Sequence, residues 1–242
     1  MYNRLQVLHG LGKESCFLWG PRQTGKSTLV KQLFPGAAYY DLLLSEEFLR
    51  LNRNPNLLRE ELLGKLPQGP VIIDEVQKVP ALLDEIQWLI VNHGIQFILC
   101  GSSARKLKRT GANLLGGRAL RFELYPFVCR EIPDFDLVRA LNHGMLPRHY
   151  LSETPQQLIE AYVGDYLKEE IAAEALTRNL PAFSRFLEAA AFSNGGIVNF
   201  QNIATECGIS APTAKEYFQI LEDTLIGRFI PAYRKRPKRR VI

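Results

Sequence analysis

Residues 17–33 read FLWGPRQTGKSTLVKQL, and this stretch constrains the fold most sharply. An apolar run gives way to Gly20, Pro21, Arg22, Gln23, Thr24, Gly25, Lys26, Ser27 and Thr28, after which apolar residues return at helical spacing. Gly20 to Ser27 match the pattern GxxxxGK[ST] in full. Holding a phosphate requires this order. Glycine at both ends lets the backbone turn tightly and present bare N–H groups to an anion. A helix beginning near Lys26 aims the positive end of its dipole at the same point. Lys26 would then reach the β and γ phosphates of ATP, and the Ser27 hydroxyl would serve Mg²⁺. A chance match in a glycine turn is the competing reading. The strand before the loop and the helix after it weigh against that reading.

The neighbouring segments predict the sheet that such a loop needs. Strands are expected at 15–19, 37–43, 69–76, 95–103 and 119–127, separated by helical patterns at 26–34, 45–64 and 80–93. Continuous apolar strands alternating with helices imply a parallel sheet covered on both faces, hence an α/β core. After Phe127 strand signals become rare, and helices dominate from about 155 to 192. The paired glycines in SNGGIVN, 193–199, suggest a second boundary. The expected organisation is a core over 1–127, a helical region over 128–192 and a final module over 193–242.

VIIDEV places Asp74 at the C-terminal end of a strand, where open α/β sheets put their ligands. Asp74 would hold Mg²⁺ through its water shell, and Glu75 would polarise an attacking water. An exposed acidic pair is the plainer reading of DE alone, but the glycine loop makes it the weaker one. A water-activating carboxylate suits hydrolysis better than transfer to a small-molecule acceptor. FILCGSS places Ser102 and Ser103 just beyond the next strand. Either serine could reach a γ-phosphate or the water, and either could cap the helix that follows. In GGRALRF, Arg118 follows two glycines and could reach a neighbour's ATP, or could equally be a solvated arginine, and the role is open also to Arg121 or Arg105.

The glycine loop, IIDEVQ, the small polar strand end and GGRALRFELYPF, in this order, resemble the AAA+ superfamily. More narrowly, the chain resembles prokaryotic AAA-type ATPases with a C-terminal, nuclease-like domain of unknown function. The resemblance extends through YLKEEI and RFLEAAAFSNGGIVNF. It implies a P-loop core that binds ATP and Mg²⁺ through Lys26, Ser27 and Asp74, with Glu75 catalytic and activity dependent on assembly into a homo-oligomer. The sequence departs from the family pattern in two places. Only Arg178 and Arg185 are candidates for a second sensor arginine, and Ser102 or Ser103 stands where an asparagine or threonine is usual. Family chains continue into the nuclease-like domain, whereas this sequence stops at RRVI, which suggests a truncated chain or a shortened gene product.

NIATECGISAPTAKEYFQILEDTLI, 202–226, has the layout of a helix–turn–helix, with Gly208 in the turn and Ala214, Tyr217, Phe218 and Leu221 inward on the second helix. LIGRFIPAYRKR after it reads as a wing, making the module a winged helix. Lys215 and Gln219 would be exposed. The net charge of +5 belongs to the end of the chain. Seven of the 30 basic residues lie beyond Gly227 with no acid among them, so the rest carries 23 basic against 25 acidic residues. A DNA contact would therefore use the wing and tail, although Glu216, Glu222 and Asp223 repel phosphate, and winged helices also serve as protein contacts. No apolar run is long enough to span a bilayer. The four cysteines form no CxxC pair, so buried free thiols in a reducing cytoplasm are expected. Three functions stay open: an ATPase acting on DNA or protein, a nucleotide-dependent switch with little turnover, and, ranked last, a small-molecule phosphotransferase.

Overall fold

Five short runs of apolar residues pair into one sheet of order β2-β3-β4-β1-β5, with every pairing parallel. The strands are β1 (Ser15–Trp19), β2 (Ala38–Asp41), β3 (Val71–Asp74), β4 (Phe97–Gly101) and β5 (Ala119–Glu123). The structure, a computed structural model, describes residues 2–6, 8, 11–105, 107, 115–167 and 179–232. Every residue of β1, β3 and β4 is buried, which explains their unbroken apolar sequences. The edge strands β2 and β5 are only partly covered. From β1 the chain runs to the far edge, returns through β3 and β4, and then crosses to β5 on the other side of β1. Such a reversal leaves a crevice at the C-terminal ends of the strands. The register aligns those ends: Trp19 lies opposite Gly101 and Glu123, and Asp41 lies opposite Asp74.

Among the described residues, the connections from β1 to β4 carry the helices α1 (Lys26–Leu33), α2 (Ser45–Arg53), α3 (Leu57–Gly64) and α4 (Leu82–His93). The single helical stretch expected over 45–64 is divided in two. Pro55 lacks the N–H that would continue α2, and the chain restarts helically two residues later. One face of the sheet buries Cys16, Leu18, Ile72, Ile98 and Cys100 with Leu29 and Val30 of α1. This packing fixes α1 against the sheet and so fixes the loop between β1 and α1. Burial pushes the Cys16 thiol up to about 12 and raises that of Cys100 well above the ordinary range, which keeps both inert.

Beyond β5 come α5 (Leu137–His143), α6 (Pro147–Tyr150) and α7 (Pro155–Ala161), the last widening into a π-turn over Tyr162–Leu167. The chain forms two compact units, Met1–Arg178 and Asn179–Ile242. This division differs from the boundary expected near 193. In the second unit α8 (Leu180–Phe192) packs on α9 (Phe200–Cys207) and α10 (Ala211–Asp223), with Phe183 and Phe186 of α8 edge-on to Tyr217 of α10 at 4.8 and 5.2 Å. These aromatic pairs bury α8 with the helix–turn–helix pair instead of leaving it with the preceding region. Gly208 closes α9 in the left-handed conformation, and Ser210 caps α10 by accepting from the Thr213 amide. Lys215 and Gln219 are exposed on α10. Residues 225–232 form no strand, and 233–242, with most of the basic tail, lie outside the described residues, as does Arg178. Among the described residues no helix is long and apolar enough to cross a membrane.

Candidate functional site

The loop from Gly20 to Gly25 leaves the end of β1 between its neighbours. A Cβ on Gly20 would lie 2.3 Å from the Leu124 carbonyl oxygen, so no larger residue fits without moving the segment after β5. Gly25, at φ 89°, takes the left-handed turn that opens α1, a conformation a glycine adopts at little cost. Gln23 is also left-handed, at φ 64°. Pro21, Arg22 and Thr24 complete the curve, and the Thr24 hydroxyl donates to the Pro21 carbonyl at 2.9 Å. Lys26 is only 6% exposed, and its Nζ donates to the carbonyls of Gly20 and Pro21 at 2.8 and 3.0 Å. Its charge is thus held inside the curve of the loop. Thr28 follows on α1.

The acidic side of the crevice meets this loop directly. Ser27 Oγ donates to Asp74 Oδ2 at 2.5 Å, and the Tyr39 hydroxyl donates to the same oxygen at 2.5 Å. Asp74 Oδ1 accepts from the Glu75 amide at 3.1 Å. Tyr39 lies on β2 opposite Ile72, close enough to reach Asp74 across the strand pair. Burial, reinforced by the hydrogen bond to Asp74, raises the Tyr39 hydroxyl above its ordinary range, so it stays a donor. Glu75 is left-handed at φ 59°, a strain of about 1–2 kcal/mol for a residue with a side chain. Burial pushes its carboxyl up, opposed by the Lys26 charge and by a hydrogen bond from Gln77. Gln77 Nε2 also donates to Ser102 Oγ at 3.1 Å.

The two serines have separate placements. Ser102 meets Gln77, whereas Ser103 Oγ accepts from the Arg105 amide at 3.0 Å, in the manner of a helix cap. Arg118 stands apart. It is exposed and precedes β5, whose parallel pairing with β1 puts it roughly 15 Å along the strand from the crevice end. Leu115, Gly116 and Gly117 before it are all left-handed. Arg185 donates twice to the Cys207 carbonyl, at 3.2 and 3.1 Å, and so caps α9 within the second unit.

Sequence reasoning missed Tyr39, Gln77 and Arg4. Arg4 Nη1 donates to the Thr24 carbonyl at 2.6 Å, Nη2 to that of Tyr125 at 2.6 Å, and Nε to Glu131 at 3.0 Å. Glu131 also accepts from the amides of Leu5 and Val128. The two side chains are 8% and 3% exposed, so this ion pair ties the N-terminal segment, the phosphate loop and the chain after β5 together in the interior. Removing one member of a buried pair costs about 3–5 kcal/mol. Arg4→Met is therefore expected to lower Tm by roughly 6–20 °C, at 2–4 °C per kcal/mol. Adding Glu131→Gln should recover part of that loss, and a thermal melt of both proteins checks it.

A glycine-turned loop after β1, a lysine within it, and a serine and a carboxylate meeting beside it define a P-loop nucleotide-binding protein. A family model described as an AAA domain matches residues 12–133, and the chain belongs to that family, within the AAA+ P-loop ATPases. Residues 134–242 match a domain of unknown function, DUF8612. No curated protein matches the chain. Among solved structures, the Aeropyrum pernix Orc1 protein in complex with DNA is similar at 14% identity, over 88% of this chain and 78% of that one, with a TM-score of 0.34. That score lies below the level of a shared fold.

Proposed function

We propose that the first unit binds and hydrolyses ATP with Mg²⁺, and that the second couples this cycle to a DNA or protein partner. The observation that carries the reading is the meeting of Ser27 and Asp74 at 2.5 Å beside the loop that holds Lys26. The hydroxyl and carboxylate are hard oxygen donors suited to Mg²⁺, and the left-handed Gly25 leaves the start of α1 open to a phosphate. When bound, Mg²⁺ supplies a Lewis acid at the phosphate oxygens. Lys26 would exchange its two loop carbonyls for the β and γ phosphates. Gly20 to Thr28 would line the triphosphate, all but Pro21 offering a backbone N–H group. Glu75 would take the proton of the attacking water, its basicity raised by burial. Ser102 adjoins Glu75 through Gln77, and Ser103 serves the helix that follows.

Steady-state phosphate release, measured with and without duplex DNA, tests the reading. ATP binding without release would favour a nucleotide-dependent switch. The exposed Lys215 and Gln219 and the basic tail are the groups that would meet DNA, in a winged helix of cytoplasmic location. Stimulation by DNA that falls steeply with salt would support this contact.

Arg118 lies at the opposite end of β5 from its own chain's crevice, so any part it takes in the reaction would be played between subunits of a homo-oligomer. Arg118→Ala is expected to bind ATP normally and to hydrolyse it at least tenfold more slowly. Mixing it with Lys26→Ala protein should restore part of the activity, because one interface then joins an intact loop to an intact arginine. Co-assembly without any recovery would remove Arg118 from the reaction.

A further inference from the structure

We propose that Gln77 is the positioning residue of the hydrolytic site: its amide fixes the Glu75 carboxylate, and Ser102 acts on the reaction through it. This rests on the hydrolysis reading above. Gln77 sits on the tight turn Val76–Lys78 directly after β3 and is 7% exposed. Its Nε2 donates to the Glu75 carboxylate and, at 3.1 Å, to Ser102 Oγ, so one amide joins the end of β3 to the end of β4. The Asp74 carboxylate holds the backbone of Glu75, leaving the side chain to be directed by Gln77.

Two further observations show that this placement is specific. A Cβ on Gly101 would lie 2.4 Å from Gln77 Oε1 and 2.5 Å from the Trp19 ring, so only glycine leaves room for both neighbours. Gln77 Oε1 is buried without a hydrogen-bond partner among the described residues. A buried acceptor left unpaired costs stability, and an apolar side chain of the same length would avoid that cost. Glutamine therefore leaves its own acceptor unpaired at this position while its donor serves the carboxylate. A base displaced by about 1 Å can cost on the order of 100-fold in rate.

The experiment compares wild type, Gln77→Met and Gln77→Glu by ATP affinity, kcat and Tm, with Ser102→Ala alone and combined with Gln77→Met. Gln77→Met should keep ATP affinity while kcat falls roughly 10- to 100-fold, with Tm changing little because removing the unpaired Oε1 offsets the donor lost to Glu75 and Ser102. Gln77→Glu keeps the shape, loses both donors and should fall at least as far. Ser102→Ala should add little to Gln77→Met, because both remove the same link. A lowered Tm with unchanged kcat would make Gln77 structural and overturn the proposal, as would additive losses. A second readout is independent of turnover: the side-chain amide resonances of Gln77, assigned by their loss in Gln77→Met, should move in Glu75→Ala and in Ser102→Ala. Resonances unmoved in both would overturn the link even in an active enzyme. Wild-type protein that binds ATP without releasing phosphate would instead defeat the hydrolysis reading, and moved resonances would then still establish the link.

Discussion

Lys26→Ala is expected to lower ATP affinity by roughly 100-fold or more while leaving the protein folded. A hydrogen bond to a charged group is worth about 1.5–3 kcal/mol, and 1.4 kcal/mol is tenfold in affinity, so losing contacts to two phosphates gives at least that. The fold should survive because the hydrogen bonds from Lys26 to the carbonyls of Gly20 and Pro21 stay within the loop and take no part in the apolar packing of the sheet. The apolar contacts that seat α1 come from Leu29 and Val30, which the substitution does not touch. Calorimetric titration with ATP, alongside a thermal melt, checks both halves. Wild-type affinity in a folded Lys26→Ala protein would mean that the loop does not hold the triphosphate.

The parts of this fold that could be read from the sequence are those set by local chemistry. Strand β1 and the loop after it are legible because apolar residues, glycines and the helix start follow one another within 17–33. Asp74 and Glu75 are legible for the same reason, as acids closing an apolar strand. What escaped depends on pairing between distant segments. Tyr39 reaches Asp74 only because β2 lies beside β3 in a particular register, and Arg4 meets Glu131 across a separation of 127 residues. Gln77 is visible in DEVQ, but its contact with Ser102 needs β4 placed next to β3 and a glycine at 101. The glycines at 195 and 196 look like a boundary. Yet the second unit begins earlier, because Phe183 and Phe186 find Tyr217, and no local signal announces that contact.

Glu75→Gln is expected to leave ATP affinity within a few-fold of wild type and to slow hydrolysis by about 10²–10⁴, the usual contribution of a positioned proton acceptor. The two shapes are nearly the same, so the left-handed backbone at φ 59° and the amide contact to Asp74 should persist. Asp74 keeps its hydrogen bonds from Ser27 and Tyr39, so the groups assigned to the metal are undisturbed. What changes is the chemistry. An amide cannot accept a proton from water, and its NH₂ group can be directed at the Gln77 amide, where two donors would oppose each other. The loss should therefore appear in kcat and spare the dissociation constant, as a single-turnover measurement beside a binding titration would resolve. Turnover within a few-fold of wild type would place the base elsewhere. An equal loss of affinity would make Glu75 a ligand of the nucleotide or its metal, and Gln77 would then orient a ligand where the present reading has it orient a base.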